Sequence, residues 1–195
     1  MHFWWISIRV RRAHPERMNN AFVALAALLL VTSTTAAEPI RADVEVDPTA
    51  YVLSGNSIHA GIGYRHLRVD LGNFAMALPQ WVHGDDGFDV SFDGYGAKLH
   101  YFLRDDQTGL YGGVGASVAR VHVHLQGSDL AADDIQLGTG VEVGYRIALP
   151  HGFHVTPWLG VGAAWSNDSV MLGGRTFEPS RLQIFPAIHI GYRFR

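Results

Sequence analysis

The sequence predicts an all-β protein, a single antiparallel, up-and-down β-barrel of about eight strands. Two observations support this fold class. Apolar residues alternate with small or polar ones over segments of about 12 to 15 residues, whereas an average strand has about five to six. The connections between these segments also alternate between tight and long. This order is expected when consecutive strands run up and down around a closed barrel.

The composition narrows the class of protein. Of 195 residues, 48% are apolar and only 17% are charged. Cysteine is absent, which excludes a disulfide framework, a thiolate metal site and a cysteine nucleophile. Residues 38–195 carry eleven basic and seventeen acidic side chains. This acidic balance argues against a nucleic-acid-binding protein, which would present a basic face.

Residues 1–37 have the order of a secretory signal peptide. Four arginines precede an apolar run from Ala21 to Val31, and small residues follow it. Eleven apolar residues are too few to span a bilayer, which needs about 20, but they suit a cleaved leader. We expect cleavage after Ala37, or after Ala36 as an alternative. Residues 38–195 then form the mature barrel domain.

The first mature segment, from Asp43 to Leu53, is the weakest strand candidate because Pro48 interrupts its alternation. A short helix with Asp47 and Pro48 as cap and first turn is the alternative. Counting the segment gives eight strands, and single-chain bacterial barrels have an even number. The parity of the count therefore favours a strand.

Four further segments follow: Ser57 to His66, Leu67 to Leu78, Phe88 to Leu103 and Gly109 to Leu125. The alternation is clear in the first, and the second follows it almost at once. The third changes phase after Phe92, which predicts a β-bulge near Asp93-Gly94. The fourth is ambiguous at Gly112-Gly113. The last three segments alternate most regularly: Ile135 to Leu149, Phe153 to Trp165 and Leu182 to Phe194.

The connections place the ends of the strands. We expect tight turns at Arg65-His66, Arg104 to Thr108 and Pro150 to Gly152. Longer loops, which hold most acidic and turn-forming residues, are Gln80 to Gly87, Gln126 to Asp134 and Asn167 to Arg181. With eight strands, both ends of the barrel domain lie at the short-turn end, which we expect to face the periplasm.

The non-apolar faces of the strands predict a membrane barrel with its apolar residues outside. A solvent-facing side would be crowded with Lys and Glu, whereas these faces hold glycine and a few charges. A narrow lumen needs small residues and paired charges, because unpaired buried charges are costly. The predicted lumen charge network is Arg65, Arg68, Asp70, Lys98, Glu142, Arg146 and Arg193. The predicted aromatic girdle is Tyr64, Tyr101, Tyr111, Tyr145 and Tyr192.

The last strand, Ile188-His-Ile-Gly-Tyr-Arg-Phe194, resembles the C-terminal signal of outer-membrane β-barrel proteins, although Arg195 follows where the family ends on the aromatic residue. As a pattern of strands, the mature chain is similar to the small OmpA-like or OmpX-like eight-strand barrels. The resemblance implies the outer membrane of a Gram-negative bacterium, with membrane lipid around the barrel. It also implies that the barrel-assembly machinery recognises Ile188 to Phe194. We expect a monomer.

No specific role follows from these residues, and the first hypothesis is a structural or interaction barrel. A narrow transport barrel for small solutes, with conductance or uptake sensitive to Glu142 or Arg146, is one alternative, although side chains can fill an eight-strand lumen. The other alternative is a rim-active lipid-modifying enzyme, an acyl hydrolase or acyltransferase. Its candidate residues are His122, His124 and Ser128, or His83 with Asp85.

The sequence supports the enzyme hypothesis only weakly. None of the candidate residues has a spacing that fixes a triad, since triads are recognised by geometry. His122 and His124 share one strand face and could share a metal, but no third ligand is identifiable. The sequence therefore favours a barrel that is not an enzyme, with no cofactor and no metal.

Overall fold

A computed structural model describes residues 40–165 and 168–194 of the chain. The predicted leader and its cleavage site at Ala37 lie outside the described residues. In chain order, the elements are β1 (Arg41–Val46), α1 (Pro48–Val52), β2 (Asn56–Tyr64), β3 (Leu67–Leu78), α2 (Gln80–His83), β4 (Phe88–Phe102), β5 (Gly109–Leu125), β6 (Ala131–Ala148), a 3-10 turn (Pro150–Gly152), β7 (Phe153–Ala164), β8 (Val170–Leu172), β9 (Arg175–Phe177) and β10 (Leu182–Arg193). No helix within the described ranges is long and apolar enough to cross a membrane.

Eight of these strands close into one antiparallel, up-and-down barrel, as predicted. The hydrogen-bonded order around the ring is β1-β10-β7-β6-β5-β4-β3-β2, and β8 pairs with β9 in a separate hairpin. The stagger of the strands can be read from the residue pairing. If each residue is followed to its partner on the next strand, starting at Asp43 and passing through β2, β3, β4, β5, β6 and β7, the path reaches β10 at Gln183. β1 pairs Asp43 with Arg193, ten positions further along β10. This stagger tilts the strands and allows the sheet to close.

The phase change in β4 is an inversion of polarity and not a bulge. β4 pairs in continuous register with β3 and β5 through Asp93 and Gly94, so the predicted bulge is wrong. Phe88 and Val90 point inward and are buried, whereas Asp89 points outward. At this end the barrel extends beyond its apolar outer band, and its inside becomes apolar, as in a soluble barrel. β5 is also uninterrupted at Gly112-Gly113.

The segment from Asp43 to Leu53 is a strand in its first part and a helix in its second. β1 ends at Val46, and Asp47 caps α1 by accepting a hydrogen bond of 2.8 Å from the Thr49 backbone N–H. Pro48 fits the first turn because its missing N–H needs no partner there. The segment therefore contains both predicted elements: the strand that the even strand number favoured, and the helix that was its alternative.

Helix α1 fills a notch in the barrel wall. We define the notch as the gap beyond the ends of β1 and β2, between residues 182–189 of β10 and residues 76–78 of β3. β1 pairs with residues 190–193 of β10, and the β2–β3 pairing ends at Ala75, so no described strand covers the edge of β10 there. Pro186 lies in this uncovered stretch, as expected for a proline in a sheet. In α1, Ala50 is fully buried, whereas Tyr51 and Val52 are exposed.

The long loops lie at the end opposite the tight turns. Gln126 to Asp134 is shorter than predicted, because β6 begins at Ala131. The loop before β4 contains α2, which ends at Gly84 in the left-handed region with φ of 78°. The loop before β10 contains the β8–β9 hairpin.

The outer surface of the barrel carries an apolar band. On β6, alternate residues from Ile135 to Tyr145 face outward, a stretch that matches the about 9–11 residues of a tilted membrane-spanning strand. Four of the predicted girdle tyrosines face outward near the tight turns: Tyr64, Tyr101, Tyr145 and Tyr192. The placement of Tyr111 in the girdle is wrong, because it faces the lumen and is only 3% exposed.

A candidate site in the barrel lumen

The lumen near the tight-turn end is filled by charged side chains from several strands. Asp43 and Glu45 stand two residues apart on β1 and therefore project to the same side, inward. Arg68 of β3 donates to Asp43 and to Glu45 Oε2, the latter at 3.0 Å. Arg146 of β6 donates to Asp43 Oδ2 at 3.2 Å and to Glu45 Oε1 at 2.8 Å. Each of these four side chains is nearly inaccessible to solvent.

A second ionic cluster lies on the β4–β6 side of the lumen. The Lys98 ammonium is 2.8 Å from Glu142 Oε2, and His100 Nε2 is 2.8 Å from Glu142 Oε1. The Tyr111 hydroxyl donates to the same carboxylate at 3.3 Å. Three strands are thus connected through Glu142, a residue whose burial requires such partners.

Imidazoles complete the polar centre. His154 Nε2 is 2.9 Å from Glu45 Oε1, and His189 Nδ1 is 3.4 Å from Glu45 Oε2. His59 Nδ1 is 2.8 Å from Asp70 Oδ1, and His59 Nε2 is 3.1 Å from Ser57 Oγ. The His59 and His189 rings are 4.7 Å apart. The described part of the lumen therefore holds four acidic side chains, three basic ones (Arg or Lys) and four histidines: Asp43, Glu45, Asp70, Glu142; Arg68, Lys98, Arg146; His59, His100, His154, His189.

Asp43, Glu45 and His154 are close enough together to suggest a metal site. The carboxylate oxygens already accept hydrogen bonds from Arg68 and Arg146, however. Two guanidinium groups beside the ligands repel a cation. The cluster is thus suited to ion pairing and not to metal binding.

Both ends of the lumen are closed. At the long-loop end, a small apolar cluster fills the interior, which we call the apolar cap: Phe88, Val90, Val121, Val123 and Phe177. At the tight-turn end, the buried Gln107 side chain donates to the carbonyls of Arg65 and Leu67. Arg193 donates to the carbonyls of Asp106 and Gln107. These contacts leave the charged centre enclosed between two barriers.

The structure brings together five of the seven residues predicted for the lumen network: Arg68, Asp70, Lys98, Glu142 and Arg146. Arg193 lies at the edge of the lumen, where it donates to the carbonyls of Asp106 and Gln107. Arg65 is a correction, because it lies exposed in a tight turn with φ of 51°, and its guanidinium contacts the Tyr64 ring. The left-handed turn ends the strand alternation one residue before Arg65, a detail that periodicity does not reveal.

The residues considered for a rim enzyme are not brought together. His122 and His124 face outward, and the two nitrogens of His122 contact Asp93 at 2.8 Å and Asp133 at 2.7 Å. The Ser128 hydroxyl donates to the Leu125 carbonyl, and the Asp85 backbone N–H donates to His83 Nδ1. Neither arrangement provides a nucleophile beside a base.

Sequence reasoning missed several members of the centre: Asp43, Glu45, His59, His100, His154 and His189. The four histidines share a signal in their phase, since each occupies the same strand face as an inward glycine. The strand that carries Asp43 and Glu45 contains no glycine. Gly61, Gly72 and Gly191 each leave room for one lumen side chain: a Cβ added to them would come within 2.7 Å of Arg68, His59 or His154. A histidine in phase with inward glycines is the pattern that could have found the four histidines.

An eight-strand antiparallel barrel with an apolar outer band and a polar lumen has the fold of the small outer-membrane β-barrels. No protein-family model and no curated protein matches the sequence. Among solved structures, a major outer membrane protein of Thermus thermophilus has the same fold, with a TM-score of 0.54 and 14% identity over 80% of this chain and 100% of that one. Neisserial surface protein A matches with a TM-score of 0.47 and 18% identity, over 79% of this chain and 94% of that one. The N-terminal barrel domain of Pseudomonas aeruginosa OprF matches with a TM-score of 0.43 and 12% identity, over 80% of this chain and 96% of that one.

Proposed function

We propose that the protein is a closed barrel in the outer membrane of a Gram-negative cell, acting through its outer rim and not as a channel. The observation that carries this proposal is the enclosure of the lumen. Buried ion pairs bridge the barrel wall across its interior, and the apolar cap and the Gln107 contacts lie at the two ends. An eight-strand barrel has no space left for a continuous aqueous path once such side chains fill it.

The rim supports an interaction role. Trp81 and Met171 project from the long loops with 85% and 73% of their surface exposed. Asp89, Asp93 and Asp133 face outward on the strands below. Exposed apolar groups rimmed by polar ones often mark contact surfaces. Phe177, in contrast, is buried in the apolar cap and stabilises the loop from within.

The C-terminal strand supports the proposed contact with the barrel-assembly machinery. β10 closes the ring by pairing with β1 from Ile190 to Arg193, so this edge stays open until the barrel is complete. We propose that Ile188 to Phe194 binds the assembly machinery before the barrel closes. We also propose that the signal peptide directs export and that the mature protein is a monomer surrounded by membrane lipid.

The test begins with expression of the full chain in a Gram-negative host and isolation of the outer membrane. A band in that fraction that migrates faster unboiled than boiled supports a closed membrane barrel. In planar bilayers the purified protein should give no stable conductance steps, with a known porin as positive control. Steps that change on Glu142→Gln would contradict the closed barrel and favour the narrow transport hypothesis. A soluble periplasmic protein without a gel shift would overturn the membrane placement.

A further inference from the structure

Three residues of the lumen have the geometry of a serine nucleophile with its base and orienting acid. His59 Nε2 is 3.1 Å from Ser57 Oγ, and His59 Nδ1 is 2.8 Å from Asp70 Oδ1. In the tautomer whose Nδ1–H donates to the Asp70 carboxylate, the Nε2 lone pair faces the Ser57 hydroxyl. This is the arrangement that allows a histidine to take a serine proton.

The strands and a neighbouring cation hold this arrangement in place. Ser57 and His59 are two residues apart on β2 and project to the same side, and Asp70 is paired directly with Gly61 on the neighbouring strand. Arg68 lies 3.0 Å from the second oxygen of Asp70 and balances the charge of that carboxylate. Ser57, His59 and Asp70 are 3%, 6% and 1% exposed, so the hydrogen bonds are shielded from water.

The position of Ser57 relates it to the membrane. It is the second residue of β2, directly below the notch that α1 fills. Beside the notch, Leu182, Ile184 and Ile188 of β10 face outward and are exposed, as expected for side chains that contact lipid. Next to the serine, the strands of the barrel wall end early, and among the residues that the structure describes the gap is covered by a five-residue helix.

Beside Ser57, His59 and Asp70, the lumen contains half-buried aromatic side chains, one of which has a hydrogen-bond donor without a described acceptor. Trp158 and Phe185 face inward but are only half-buried, and their rings stack 6.0 Å apart. Trp158 also packs edge-on against His189, the neighbour of His59. Its indole Nε1–H has no acceptor among the described residues. On the opposite wall, the inward-facing Gly96 is also only half-buried, and a Cβ added to it would make ordinary van der Waals contacts at 3.6 Å and beyond.

We propose that Ser57, His59 and Asp70 form a serine acyl-transfer site for ester-linked acyl chains of membrane lipids, which enter beside α1. This proposal rests on the membrane placement proposed above. The acyl chain would lie against Trp158 and Phe185. The closed state of the structure requires α1 to move before substrate enters, and a helix this short has little stability of its own.

The proposed reaction proceeds in two displacements. Ser57 Oγ forms a bond to the ester carbonyl carbon while its proton passes to His59 Nε2. The C–O bond to the lipid alcohol breaks, and the alcohol leaves with that proton. Water or a second alcohol then attacks the acyl-serine, gives its proton to His59, and releases the acid or new ester as Ser57 takes the proton back. Asp70 is a positioning residue, since it acts through His59.

The test uses the full-length barrel in phosphatidylethanolamine vesicles and an alkyl fluorophosphonate, which forms a bond from phosphorus to serine oxygen and releases fluoride. Mass spectrometry should find the label on Ser57. His59→Gln should slow labelling by at least about 100-fold, the contribution expected of a general base, and should remove its dependence on pH. Ser117→Ala, at another lumen-facing serine, is the matched control and should leave labelling unchanged.

A second variant addresses access. Asp47→Ala removes the N-cap of α1 and should raise the rate of labelling by several-fold, an effect that a purely structural serine would not show. Absence of label from Ser57 in both the wild-type and the Asp47→Ala barrel would overturn the proposal, as would labelling that His59→Gln leaves unchanged. The boiled and unboiled gel on each sample distinguishes this failure from failure of the barrel itself.

Discussion

At the scale of single residues, the lumen depends on charges that cannot be removed one at a time. Arg146 donates to Asp43 and Glu45, which lie together on β1 with almost no access to water. Replacing a whole buried ion pair by apolar residues can be neutral, but removing one partner leaves an uncompensated charge. The same side chains are therefore a source of specificity and of vulnerability.

We expect Arg146→Met to lower the free energy of unfolding by about 3–5 kcal/mol, because the carboxylates of Asp43 and Glu45 would lose a buried partner. Urea unfolding of the barrel in vesicles, followed by tryptophan fluorescence, measures the loss. Arg181→Met is the matched control, since this arginine is exposed just before β10, and should change stability by no more than about 0.5 kcal/mol. Equal effects of the two substitutions would contradict the role of the network.

His122 makes a second test at this scale, outside the apolar band. Partial burial opposes its protonation, but the hydrogen bonds from both ring nitrogens to Asp93 and Asp133, together with their charges, outweigh burial and raise the pKa of His122. The folded pKa therefore exceeds the unfolded one. The stabilisation is fully present below the unfolded pKa of about 6.5 and is lost as the pH rises through the folded value.

NMR titration of the imidazole should thus show a raised pKa for His122 in the wild-type barrel. We expect Asp93→Asn and Asp133→Asn each to lower it, because each removes one charged acceptor. Asp89→Asn, which removes a contact of His124 instead, should leave the titration of His122 where it was. If neither substitution changed the pKa of His122, these contacts would not be maintained in solution.

At the scale of elements, the alternation of apolar residues predicted where the strands are, but not which face of each strand points into the lumen. Leu67–Leu78 and Gly109–Leu125 were predicted with the bounds that the structure has. The apolar phase of Phe88 and Val90 predicted a bulge because periodicity does not distinguish an apolar inside from an apolar outside. The partners of Asp43 and Glu45 could not be predicted either, since the register and curvature of the closed ring decide which strands meet across the lumen.

The N-terminal cap of helix α1 provides a testable prediction at the scale of elements. Asp47→Ala should lower helix stability by about 1 kcal/mol, since its side chain satisfies the Thr49 backbone N–H. The Leu53 and Gly55 amides, which donate to the carbonyls of Thr49 and Ala50, should then exchange with solvent several-fold faster. Amides of the β5–β6 ladder are the internal reference. Unchanged exchange at Leu53 and Gly55 would mean that the barrel edges, and not the cap, hold the helix.

At the scale of the whole molecule, the same strands pass through two regions of the barrel with opposite polarity. Over the apolar band, the outside is apolar and the inside is charged; beyond the band, Asp89 faces out and the apolar cap faces in. Position relative to the band therefore decides which face of a strand accepts a charge.

Two substitutions on the outward face of β6 test this division. Val141→Arg lies in the middle of the band and should cost about 2–4 kcal/mol of unfolding free energy in a bilayer, whereas a site beyond the band costs about 0–1 kcal/mol. Ala131→Arg, at the far end of the same strand face, is that second site. Urea unfolding in vesicles measures both. Equal costs would place the boundary of the bilayer elsewhere.

The single lysine of the chain gives the barrel a chemical property of its own. Lys98 is the only lysine; its ammonium lies 2.8 Å from Glu142 and 3.8 Å from the centre of the Trp158 ring, within the lumen. Reagents that acylate amines should therefore find little to modify on the folded protein except the α-amino group. Once the barrel opens, one new amine becomes available, so a single acylation event reports unfolding without any engineered label.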